Sequence, residues 1–186
     1  VWGLARMDAM NDRLYDTELR GLSDLKEANI NLIYAGRARN AYLAVATEQE
    51  RQALRKQFDD AVKNMDALRE QASANFHSDE HKRVLAQFLE TEQVWKRESA
   101  AFFAAAQSQP LTQADPRLAE VEGRVIAASQ KLDDLMTTLA LGKESAAAQT
   151  VKEGTELYGT VRAVMIALAI AGVAAGLLLG WLVTRG

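Results

Sequence analysis

Pro116 to Ala148 reads PRLAEVEGRVIAASQKLDDLMTTLALGKESAAA, and Ala163 to Val183 reads AVMIALAIAGVAAGLLLGWLV. Through the first stretch apolar or small residues return every three or four positions, at Leu118, Val121, Val125, Ala128, Leu132, Leu135, Leu139, Gly142 and Ala146. That is the heptad seam of a helix lying in a bundle. The second stretch carries no charged or strongly polar side chain, and Arg162 and Arg185 bracket it. As a helix rising about 1.5 Å per residue it covers about 31 Å, close to the hydrocarbon thickness of a bilayer. Its glycines, Gly172, Gly176 and Gly180, are ordinary in a membrane helix, and Tyr158 and Trp181 stand near its ends, where amphipathic rings favour the interface. The alternative is a buried core helix, but a small helical domain cannot hide so long and uniform a span. No proline interrupts Pro116 through Val183 after the first position, so one continuous helix is expected to run from a bundle into a membrane.

Working outward, the other residues suffice for one domain. Two prolines in 186 residues, with abundant Ala, Leu, Glu, Lys, Arg and Gln, predict an almost wholly helical chain. With no cysteine, thiol catalysis, disulfides and Cys-ligated metals are excluded. A net charge of −3 with both signs interspersed offers no general basic face for nucleic acid. The opening Val1-Trp2-Gly3-Leu4-Ala5 reads as the end of a preceding apolar segment.

Three further helices precede the one quoted. The first is expected over Met7–Ala46, with a stripe at Tyr15, Leu22, Leu25, Asn29, Leu32, Gly36, Arg39 and Leu43. Thr47-Glu48-Gln49-Glu50 is a capping box that starts the second, over Glu48–Ala74, with a stripe at Arg51, Leu54, Phe58, Ala61, Met65, Leu68 and Ala72. Ser78 caps the third, Asp79–Ser108, whose stripe passes Leu85, Phe88, Trp95 and Phe102 before Pro110 breaks it. Asp115-Pro116 is an N-cap followed by proline at the first helical position, which opens the fourth. Short connections make neighbours antiparallel, so the fold expected is an all-α up-down-up-down four-helix bundle. The first and fourth helices exceed the middle two by roughly 20–25 Å, forming a stalk toward the membrane.

Catalytic constellations are absent, and no enzyme activity, cofactor or metal is expected. His77 and His81 have i, i+4 spacing, but His77 precedes the Ser78 cap and should not share a helix face with His81. Neither Glu-x-x-His nor Cys-x-x-Cys-His occurs. Asp59-Asp60 and Asp133-Asp134 read as solvated charges. Helix one is unusual over Ala28–Val45, ANINLIYAGRARNAYLAV, where apolar residues occur on all sides, as on a helix buried against both its own bundle and a second subunit. Arg37 and Arg39 lie about 200° apart there, so one can face the bundle and the other a partner. Arg51, Arg55, Arg97, Arg117 and Arg124 fall near the same level, and Arg117, Arg124 and Lys131 recur every seven residues. Arginines partly buried without an acid each would be relieved by a bound carboxylate, which matches the guanidinium fork. Glu48, Glu98, Glu120 and Glu122 are the internal acids that could serve instead, the expectation for Arg55 and Arg97.

Gly21–Ala44, GLSDLKEANINLIYAGRARNAYLA, resembles the first helix of the four-helix-bundle sensor domain of bacterial methyl-accepting chemotaxis proteins. Lys131–Ala148, followed by Tyr158 and the membrane segment, resembles the fourth helix of that domain. The resemblance implies a homodimer paired through helix one, with the bundle periplasmic and the anchor in the bacterial inner membrane. It implies a small carboxylate, an organic acid or amino acid, bound at the distal dimer interface, and a cytoplasmic kinase and adaptor as signalling partners. By position the ligand-binding candidates are Tyr34, Arg37, Arg39, Asn40, Arg117 and Arg124. The organisation expected is residues 1–6 ending a membrane segment, 7–162 the sensor bundle, 163–183 the transmembrane helix and 184–186 the start of a cytoplasmic linker. Ligand binding would displace helix four across the membrane. The rival readings are the same module feeding a histidine kinase or cyclase, and a ligandless tethered bundle.

Overall fold

The computed structural model describes residues 2–45, 47–107 and 116–185. Its elements are α1 (Trp2–Asp12), a π-helical stretch (Arg13–Leu19), α2 (Arg20–Tyr42), α3 (Glu48–Ser73), α4 (Asp79–Gln107) and α5 (Pro116–Arg185). Asp12, Leu19 and Arg20 all keep right-handed helical dihedrals, so α1, the π stretch and α2 form one unbroken first helix. The described residues are thus a four-helix bundle without strands. Ala46, Ser108, Pro110 and the Asp115 cap lie outside the described residues, as do Val1 and Gly186.

The local signals act as their chemistry requires. The Thr47 hydroxyl accepts from the Glu50 amide at 3.2 Å while the Glu50 carboxylate accepts from the Thr47 amide at 3.1 Å, closing the capping box that starts α3. Ser78 Oγ accepts from the His81 amide at 3.1 Å at the start of α4.

The core is a column of aromatic and aliphatic side chains. Phe88, Trp95, Phe102, Met65, Val125 and Leu132 are completely buried. Trp95 places its indole against Phe58 and donates Nε1–H to Ser129 Oγ at 2.8 Å, so its polar end is satisfied in the interior. The packing is uneven. The α2–α3 and α4–α5 hairpins pack with close backbones, as do α2 and α5, whereas α3 and α4 stand further apart. Small seam residues on α2, Gly21, Ala28, Ala35 and Ala38, allow the close approach, while Phe58 and Trp95 fill the wider α3–α4 gap.

Two expected stripes need correction. On the first helix the buried line is Glu18, Gly21, Leu25, Ala28, Leu32, Ala35, Arg39 and Tyr42, and Tyr15 is 70% exposed. Small residues mark the true seam, and below the bundle the first helix packs on α5 among the described residues, so a side chain one position off the line meets solvent. On α5 the buried line follows expectation to Leu132 and then runs through Met136, Leu139, Lys143, Ala147 and Thr150. Leu135, Gly142 and Ala146 lie at its flank because Lys143 is drawn inward and the His81 ring packs directly against Gly142.

Helix α5 is 70 residues long, about 105 Å, without interruption. Every side chain from Arg162 to Arg185 is exposed, so the apolar segment takes no part in the core and is long and apolar enough to cross a membrane. Beside it in the stalk, α1 meets α5 where Gly3 faces Val161.

Candidate functional site

The distal end, where α2 turns into α3, holds two buried guanidiniums. Arg39 is 3% exposed and Arg51 is 4% exposed. Arg39 lies on the inner face because the α2 seam continues from Ala35 through Arg39 to Tyr42. It donates from Nε and Nη2 to the Asn40 side-chain oxygen at 3.3 and 2.9 Å, with its guanidinium 5.9 Å from the Phe102 ring centre. Its Nη1 has no hydrogen-bond partner. Burial lowers the pKa of Arg39 from its ordinary value, and the charge of Glu122 on α5 partly offsets this. Arg51 stacks over Tyr42 at 5.3 Å and donates from Nη1 to the Ala106 carbonyl at 3.2 Å, but its Nε is unpartnered. Tyr42, Phe58, Phe102 and Phe103 pack edge to face around these cations. A polar group with no acceptor in such surroundings costs on the order of 1–3 kcal/mol, more when charged.

The six sequence-predicted ligand residues divide into groups. Arg39 and Asn40 are joined by the bonds above. Tyr34 and Arg37 form a second pair on the outer face, the guanidinium 5.9 Å from the ring centre. They line an open groove of about 480 Å³ between α2 and α3, with Asn31, Gln57, Asp60 and Asn64. The two neighbouring arginines therefore point to different sides, Arg39 into its own bundle and Arg37 outward. Arg124 is exposed and donates to Glu98 at 2.8 Å and to Glu120 at 3.0 Å, which raises its pKa. Arg117 is exposed in the first turn of α5. Of the remaining arginines, Arg55 pairs with Asp59 at 3.0 Å and Arg97 approaches Glu98 at 3.9 Å, so internal acids serve both. Around Arg37 and Tyr34, the α2 residues Ile30 and Ile33 are also about half exposed, an apolar strip on the outside of the protomer.

A third buried cation lies at the base of the bundle, and sequence reasoning missed it. Lys143 is 1% exposed. Its ammonium donates to Glu18 Oε2 at 3.0 Å, the Asn75 carbonyl at 2.6 Å and the Thr17 carbonyl at 3.3 Å, and stands 5.3 Å from the Phe76 ring centre. Three donors meet three acceptors, so the charge is fully matched. The pattern that could have revealed it is the register Leu132, Met136, Leu139, Lys143, in which a lysine falls on a core position.

Among the described residues no group of three or more His, Asp and Glu is placed to hold a metal. His77 lies in the turn before α4, and the His81 ring stacks on Phe76 at 5.5 Å. The arrangement offers guanidinium donors to an anion rather than a nucleophile and its base.

A family model described as a four-helix bundle sensory module for signal transduction matches residues 1–158. No curated protein and no solved structure matches the chain. The match covers most of the chain, the architecture agrees, and the chain belongs to the four-helix bundle sensory modules of methyl-accepting chemotaxis proteins.

Proposed function

We propose that this chain is the sensing and membrane-crossing part of a chemoreceptor that binds a small carboxylate, an organic acid or amino acid, at its distal end. The observation that carries the reading is Arg39, a guanidinium buried among aromatic rings with an unpartnered Nη1 and a neutral amide as its hydrogen-bond acceptor. An entering carboxylate supplies the missing acceptor and charge together. Arg37 and Tyr34, exposed on the opposite side of α2 beside Ile30 and Ile33, suit the face of a homodimer, where they add contacts to ligand held between protomers. Arg117 stands at the same end. Binding shifts α5, which runs unbroken from the distal end to Arg185. Packed bundles switch between discrete arrangements, so a small displacement suffices. The bundle faces the periplasm from the inner membrane and acts without chemistry on its ligand, with a kinase and adaptor reading the far side.

The test is calorimetry and thermal shift of the detergent-solubilised chain against a panel of organic acids and amino acids. A true ligand at a hundred times its dissociation constant adds about 2.7 kcal/mol of stability. Arg37→Ala and Arg39→Ala should each weaken it, with roughly 10- to 150-fold expected for loss of one charge-assisted hydrogen bond. Unchanged affinity in both variants and in their combination places the site elsewhere.

A further inference from the structure

Midway down the bundle, where α3 and α4 stand apart, four charged side chains bridge the gap. Asp66 and Arg69 come from α3, Glu92 and Lys96 from α4. Lys96 is committed to Asp66, with both carboxylate oxygens at 2.8 Å. Glu92 is the buried member, its side chain 1% exposed. Its Oε1 lies 3.3 Å from Lys96 Nζ and its Oε2 lies 3.4 Å from Arg69 Nε. Neither contact is aligned as a hydrogen bond, and Glu92 Oε1 and Arg69 Nε are both left without partners. The cluster therefore holds two carboxyl groups within reach of one another and one lysine already taken. A proton on Glu92 resolves the conflict, because the protonated carboxyl becomes a donor and Asp66 an acceptor.

We propose that Glu92 is a proton-binding site across the α3–α4 seam, which gives the bundle an input from pH separate from its distal end. With the proton bound, Glu92 donates to Asp66 and ties the two hairpins together. When the proton leaves, that hydrogen bond is lost, the buried Glu92 carboxylate repels the partly exposed Asp66 beside Arg69 and Lys96, and the seam loosens. Asp66 is 19 residues from Thr47, about 28 Å along α3, so the proton and a distal ligand occupy different levels. The charged groups acting on Glu92 are Asp66 and Arg69 from α3 and Lys96 from its own helix; among the described residues, α2 and α5 add no charge to it. Burial and the hydrogen bond with Asp66 push Glu92 up to about 7 against the pull of Arg69 and Lys96. Burial would raise Asp66 too, but its hydrogen bonds with Glu92 and Lys96 outweigh this and hold it below the usual carboxylate value. The proton accordingly belongs to Glu92.

The sign follows from linkage. A carboxyl with a raised folded-state pKa holds its proton in the folded chain at pH values where the unfolded chain has lost it. Stability should therefore fall as pH rises from about 5 through about 7 and level off above. The experiment measures thermal midpoints of the whole detergent-solubilised chain from pH 5 to 8. The parent midpoint should drop by several degrees across that range. Glu92→Gln, which keeps a donor toward Asp66 and cannot ionise, should remove the Glu92 part of the drop. Asp66→Asn removes the opposing charge and should move the transition to lower pH. Spin labels at Ala67→Cys and Gln93→Cys, both exposed positions flanking the seam, give its width directly. Their distance should grow from pH 5.5 to 8 in the parent and stay constant with Glu92→Gln. Parent-like slopes in both Glu92→Gln and Asp66→Asn, or a label distance insensitive to pH in the parent, overturn the proposal.

Discussion

The distal end and the base of this bundle each bury a cation, and they treat it in opposite ways. At the base, Lys143 meets Glu18 and two backbone carbonyls with every donor used. At the distal end, Arg39 is equally hidden yet makes its hydrogen bonds to Asn40 alone among the described residues, and Arg51 makes one to a carbonyl. The first arrangement is finished by the chain itself and joins three segments of it. The second is left open. A buried charge that is already matched gains nothing from a ligand, while one with an idle donor gains a great deal. That difference, rather than the number of arginines, is what supports the distal end as the proposed binding site.

The comparison is broken most severely at the base. Lys143→Ala leaves the buried Glu18 carboxylate with only the exposed Arg13, 3.9 Å away, and the loss should be about 3–5 kcal/mol in denaturant unfolding of the detergent-solubilised chain. Replacing the pair together, as Lys143→Met with Glu18→Leu, should restore most of it, since no lone charge remains. A near-neutral Lys143→Ala would erase the contrast. Arg39→Met should change stability by less than about 1 kcal/mol in either direction, because removing a poorly satisfied buried cation relieves as much as it forfeits. A Lys143-sized loss there would mean that Arg39 is as structural as the lysine. Arg124→Gln should have the smallest effect, leaving both the unfolding midpoint and ligand affinity unchanged, since its guanidinium is exposed and held by Glu98 and Glu120. Lost ligand affinity in that variant would extend the site onto α5.

The starts of α3 and α4 were legible because their signals are local, whereas the first helix, expected over Met7–Ala46, begins by Trp2 and ends at Tyr42. Thr47 with Glu50, and Ser78, mark the starts of α3 and α4 in sequence and in structure alike. The aromatic stripe Phe88, Trp95 and Phe102 was equally plain, since large apolar residues at helical spacing have few other uses. What resisted reading depended on register to a single residue or on distant partners. The first helix buries Gly21, Ala28 and Ala35 rather than Leu22, Asn29 and Gly36, a shift of one position along the helix. The same register decides that Arg39 turns inward and Arg37 outward. Lys143 and Glu18 are 125 residues apart, and Asp66 and Glu92 sit on different helices, so no local pattern announces either cluster. The candidate arginines were thus named from the sequence, but which way each faces was not.

The π-helical stretch Arg13–Leu19 gives the two stalk helices unequal mechanical character. Helix α5 is α-helical without interruption through all its 70 residues. Its companion contains seven residues of wider, weaker winding, the element of a helix most able to lengthen or unwind. Displacements of the bundle should travel down α5 undiminished and be absorbed in the first helix as local strain. Lys143 fastens that compliant joint to the rod at Thr17 and Glu18, at the level where the bundle gives way to the stalk. The stalk thus joins an uninterrupted α-helix to a more compliant one, fastened at one buried charge.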